Sequence, residues 1–153
     1  MIVSLDKLSL RATVDRLERA LIAPLSSDSL IMWVLTVKDS TEALEEVLPY
    51  FLEDVFHSDF AGIARFDNKL LPDVEQLIEA ERRLLVLKEN FCRGLNNLAS
   101  RLPHKRDDEV QVADERLQVK RQGMELVVEL KYLQSAANSW QQAAIYRERN
   151  PVG

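Results

Sequence analysis

The sequence predicts an all-α protein, an antiparallel four-helix (up-down) bundle with a long C-terminal helix. Three observations lead there. Leu30, Val34, Val37, Thr41, Leu44, Leu48, Phe51 and Val55 advance by alternating steps of four and three residues. Leu126, Leu130, Leu133, Ala137, Trp140 and Ala144 form a second row of the same spacing. Such rows line one face of an α-helix, and several helices of this kind bury those faces only against each other. The third observation is composition. With 153 residues, 46% hydrophobic and 29% charged, and only four Gly and five Pro, the chain suits one ordered domain over residues 1–153 with a substantial core.

The first helix is expected from about Ser4 to Ile22, with Leu10, Val14, Leu17 and Leu21 buried, and Pro24 ends it. Ser26, Ser27, Asp28 and Ser29 then offer N-caps. Two readings of the next stretch stay open. It is one helix from Asp28 to about Ser58 that Pro49 kinks by removing a backbone donor, or two helices, the second capped by Asp39 and Glu42 at capping-box spacing. Gly62 to Asn68 reads as a connection. Pro72, Asp73 and Glu75 suit the first turn of a third helix, which Pro103 ends. Asp107, Asp108 and Glu109 open a fourth that runs to about Arg147, before Asn150 and Pro151.

The fourth helix is the longest, about 60 Å at ~1.5 Å per residue against ~45 Å for the third. Its last turns, with Trp140, Ile145 and Tyr146, are therefore expected to overhang the bundle and to need a cover, either a second copy in a homodimer or another protein. The alternative is that this helix breaks near Gly123 and folds back on its own bundle. Met32 and Trp33 mark a second candidate surface for a protein partner.

The formal net charge of −5 disfavours non-specific binding to nucleic acid or anionic membrane. The longest nearly apolar run, Leu30 to Val37, is far short of the ~20 residues that cross a bilayer. Cys92 has no second cysteine to pair with, and no basic-then-apolar leader opens the chain, so a cytoplasmic location is expected.

The third helix carries the most suggestive chemistry. Leu77, Leu84, Phe91 and Leu98 form one apolar column, Leu71, Ile78, Leu85, Cys92 and Ala99 another, and between them lie Val74, Glu81, Lys88, Leu95 and Leu102. Glu81 and Lys88 thus stand in an apolar face, where a lone charge must find a partner, reach water or lose its charge. Arg116, two heptads before Leu130, is a candidate partner for Glu81. A buried network that sets helix register and a ligand site inside the bundle both fit this pattern. His57 falls opposite the apolar row of its helix, and His104 lies in a connection with Arg101, Lys105 and Arg106. Neither has a second histidine nearby, so no histidine-rich metal site is expected. Cys92, on an apolar column, reads as a small core residue. No phosphate-binding glycine loop and no nucleophile constellation occurs.

Glu46-Val47-Leu48-Pro49-Tyr50-Phe51-Leu52-Glu53-Asp54 resembles the second-helix motif of hemerythrin-like bundles, in which a glutamate-rich turn, Leu-Pro, a histidine and an aromatic precede a carboxylate. Leu77-Ile78-Glu79-Ala80-Glu81-Arg82-Arg83-Leu84 is similar to that family's third helix. The resemblance implies a four-helix bundle in which Tyr50 and Glu81 occupy histidine positions of a di-iron centre and Asp54 a carboxylate position. Without the imidazoles the family's oxygen chemistry is not expected. What the resemblance leaves is a degenerate bundle binding a metal or small ligand through Tyr50, Asp54, Glu81 and Glu53, with Lys88 and Arg116 added as candidate ligand residues by their places on the apolar rows. Leu8-Ser9-Leu10-Arg11-Ala12-Thr13-Val14-Asp15 looks like the opening helix of helical chorismate mutases, but the next basic positions are Asp28 and Asp39, which would repel a dianionic substrate. The leading expectation is a non-catalytic interaction or scaffolding module, binding itself or another protein, with no cofactor, nucleic acid or membrane.

Overall fold

The structure is a computed structural model that describes residues 2–23, 30–53, 71–101 and 109–149, with side chains over 10–23, 30–53, 75–101 and 112–139. Within these it is all-helical: α1 (Ile2–Ile22), α2 (Leu30–Tyr50), α3 (Leu71–Arg101) and α4 (Glu109–Arg149). Each helix packs on its neighbour in chain order, and α1 closes the ring against α4; α2 and α3 approach most sparsely. Among the described residues no strand occurs, and no helix is long and apolar enough to cross a membrane.

The core is one apolar cluster fed by every helix. Leu10, Val14, Leu17 and Leu21 of α1 meet Val34, Val37, Leu44 and Leu48 of α2, Leu77, Leu84, Phe91, Leu95 and Leu98 of α3, and Leu126, Leu130, Leu133 and Ala137 of α4. These are the rows that the three-and-four spacing predicts. Thr41 fits its apolar row because its hydroxyl donates to the Val37 carbonyl at 2.7 Å, and buried Ser40 donates to Thr36 at 2.9 Å. A buried hydroxyl bonded to its own helix avoids the cost of an unpaired polar group.

The two readings of the second helix are resolved over the described residues. α2 passes through Asp39 and Glu42 without a break, so those residues are not a cap. Pro49 lies inside its last turn, and Phe51 to Glu53 continue as a π-helical turn. Pro49 brings no N–H, so the helix loses one i→i−4 bond there and widens into the looser turn. The wider turn lets both Phe51 and Leu52 reach the core, at 3% and 8% exposure. Residues 54–70, with Asp54, His57 and the expected Gly62–Asn68 connection, lie outside the described residues. So do His104 and the proposed caps before α2.

α4 is one helix through Gly123, so it does not break and fold back there. Gly123 is buried in the row Arg116, Gly123, Leu130, Ala137, and a Cβ on it would stand 2.8 Å from both Leu21 methyls and 2.9 Å from Phe91 Cε1. The glycine is a point of close helix packing. It lets α1, α3 and α4 meet where a side chain would wedge them apart.

Interhelical pairs set the register. Arg83 meets Glu129 at 3.6 Å, Phe91 stands at Gly123, and Arg101 pairs with Glu115, so numbers rise along α3 as they fall along α4. Arg16 pairs with Asp39 while the Trp33 indole reaches Leu21, giving α1 and α2 the same opposed order. Lys131 pairs with Glu18 between α4 and α1. These rim pairs are half-exposed, each is worth about 0–1 kcal/mol, and they choose register more than they stabilise. At this register Leu71 comes level with about residue 143 of α4 at ~1.5 Å per residue. The expected long overhang is therefore mostly alongside α3, and only the last turn or two of α4 extends past it.

Candidate functional site

The sparse α2–α3 seam gathers the groups with the most chemistry. Cys92, half-buried on α3, donates its thiol hydrogen to Glu45 Oε1 of α2 at 3.2 Å. Burial, then the bond to Glu45 and its negative charge, push the thiol up to about 11, while Lys88 pulls the other way. A thiol so held stays protonated near neutral pH and is a poor nucleophile. Leu85, Lys88, Cys92 and Glu45 line an open groove of about 580 Å³. A second open groove, about 560 Å³, runs between α3 and α4 past Asn90, Asn97, Gln118, Gln122, Arg101 and Glu115. Gly94 lets Gln122 come close there, since a Cβ on it would lie 2.9 Å from Gln122 Oε1.

The candidate ligand residues do not converge. Tyr50 is 62% exposed at the end of α2. Glu81 and Lys88 are half-buried at the edge of the core, so their long side chains run along apolar neighbours towards the rim. Arg116 does not serve Glu81: the α3–α4 register places it level with about residue 98, some 17 residues or roughly 25 Å away along α3. Instead its guanidinium carbon lies 5.2 Å from the centroid of the Trp33 ring. Burial lowers the Arg116 pKa from its usual range, and its Nε is buried without a hydrogen-bond partner among the described residues. The ring face is what compensates this cation. Among the described residues no group of three or more His, Cys, Asp or Glu could hold a metal ion.

No protein-family model, curated protein or solved structure matches the chain. The hemerythrin and chorismate mutase likenesses therefore rest on the short stretches that suggested them. Of the residues they invoke, Asp39 pairs with Arg16, and Arg11 is exposed.

The candidate partner surface separates into two fates. Met32 is 61% exposed. Trp33 is not a surface residue: it is 4% exposed, and its indole Nε1 donates to the Leu21 carbonyl at 3.3 Å. The last carbonyls of a helix lack partners of their own, and Trp33 supplies one at the end of α1. Adjacent positions on a helix point about 100° apart, which is why neighbours in sequence part company here. Trp140, Ile145 and Tyr146 belong to α4, with side chains outside those described.

Sequence reasoning missed two things. The apolar column of Ile78, Leu85, Cys92 and Ala99 is divided: Cys92 and Ala99 pack against the core, half-buried, whereas Ile78 and Leu85 are 48% and 44% exposed. The Gly123 contact was missed as well, although its seven-residue spacing from Arg116 and Leu130 was the available signal.

Proposed function

We propose that this chain is a non-catalytic, cytoplasmic interaction module, an antiparallel up-down four-helix bundle that associates with a second copy of itself. The opposed numbering of the α1–α2 and α3–α4 pairs supports the up-down order. One observation carries the functional reading. Large apolar side chains stand exposed on the outer faces of three helices: Met32 and Leu35 on α2, Val86 on α3, and Leu117 and Val128 on α4, all more than half exposed. Exposed apolar residues in rows are interaction surfaces more often than scattered ones are.

The interior favours this reading over a ligand-binding one. The buried polar side chains among the described residues are Ser40 and Thr41, each bonded within α2. A degenerate hemerythrin-like bundle would need a polar interior to hold a metal or small ligand. The test is solution mass by light scattering together with metal analysis of the purified full chain. A metal-free species at twice 17.6 kDa is the expected result. Stoichiometric metal would replace the proposal with the hemerythrin-like one, and a monomer at all concentrations would remove self-association.

A further inference from the structure

α4 carries a second apolar row, on the side away from the core. Taking ~100° per residue, Leu117, Val128 and Tyr132 fall within about 60° of one another and nearly opposite Val119, Leu126 and Leu130. They are 52%, 63% and 47% exposed, whereas the three opposite are at most 3% exposed. The row extends over 16 residues, about 22 Å of helix.

Arg121 and Glu125 stand exposed in the middle of that row. Their spacing is that of Glu89 and Arg93, which bond at 3.1 Å on α3. Arg121 and Glu125 have no ion-pair or hydrogen-bond partner among the described residues. Their order explains the difference, because an acid before a base matches the helix dipole and a base before an acid does not. The row therefore has apolar ends and two unpaired, opposite charges at its centre.

We infer that this face of α4 docks α4 of a second copy of the chain, the two helices lying antiparallel about a two-fold axis between Arg121 and Glu125. Under that axis Arg121 faces Glu125 of the partner subunit, and the pair occurs twice. Leu117 then comes level with about residue 129 of the second copy, beside the partner's Val128, so the two apolar side chains cover each other on either side of the axis. A parallel pairing would set Arg121 against Arg121 of the partner subunit, and like charges at the centre would oppose it. The inference rests on the self-association proposed above and names its surface and symmetry.

Sedimentation equilibrium on the full chain over a range of concentrations tests it, using native protein, Arg121→Glu, Glu125→Arg, and an equal mixture of the two variants. Both side chains are exposed, so helix content by circular dichroism stays native. Each variant alone is expected to weaken the dimer at least about tenfold, since two attractive contacts become repulsive. The mixture is expected to return to within a few-fold of native affinity, because opposite charges again face each other across both contacts. A dimer undiminished in both variants overturns the inference and leaves self-association through another face. Weakened variants that do not recover on mixing overturn the antiparallel geometry. A native chain that stays monomeric throughout removes self-association itself.

Discussion

At the residue scale the two characterised glycines behave oppositely. Gly123→Ala adds a methyl against Leu21 and Phe91, both fully buried, and overpacking of this kind costs about 1–3 kcal/mol. The helix gains only about 1 kcal/mol from alanine, so denaturant unfolding is expected to show a net loss of roughly 1 kcal/mol. At Gly94 the nearest atom is the movable end of Gln122, with Val119 next at 3.4 Å. Gly94→Ala is therefore expected to raise stability by about 0.5–1 kcal/mol, and equal signs for the two variants would refute the packing account. Trp33→Phe keeps the ring but strands the Leu21 carbonyl, with an expected cost of about 1–2 kcal/mol by the same measurement. Cys92 supplies a pH signature. Its thiol is raised in the folded state from 9.0 to about 11, so the folded chain favours the protonated form. The stabilisation is complete below pH 9 and is lost as pH rises towards 11. Glu45→Gln removes the negative charge but leaves burial and an amide oxygen that can still accept from the thiol, so the Cys92 titration should fall only part of the way back, which thiol alkylation rates against pH would report.

At the element scale the helices behave as amphipathic faces first and as sequences of special residues second. Leu10, Val14, Leu17 and Leu21 alone settle which side of α1 is buried, because burying each is worth about 1.5–3 kcal/mol and no rim ion pair competes with that. α2 shows the limit of the pattern. The capping-box spacing of Asp39 and Glu42 is locally valid, yet the apolar row crosses it and the helix continues. Pro49 alters the turn type without ending the helix. α4 places Trp140 to Tyr146 beyond the proposed docking row. Ile145→Glu is accordingly expected to leave solution mass unchanged, whereas Val128→Glu should yield monomer; the reverse pattern in light scattering would move the interface to the end of the helix.

At the scale of the whole molecule, association couples to stability. If α4 pairs with its copy, the folded dimer is favoured by mass action and Tm rises with protein concentration. A hundredfold concentration range should raise the native Tm by several degrees, and Val128→Glu should flatten that dependence; a flat native curve would argue against the dimer. The weak α2–α3 seam is where the molecule should open first, since these two helices approach each other most sparsely. Hydrogen exchange would locate it.

By itself the sequence determined the helical class, the four helices and most of the buried rows, because a three-and-four spacing has one structural meaning and the core faces must meet. The start of α3 near Pro72 and its end before Pro103 were legible for the same local reason, the restricted backbone of proline. The tertiary structure decided what depends on register between helices. Trp33 turned inward to the end of α1, Arg116 went to Trp33 because Glu81 lies far along α3, and Ile78 and Leu85 were left exposed where α2 stands off. A helix's own spacing says which residues share a face, but which neighbour covers that face, and at what height, is settled only when the helices pack.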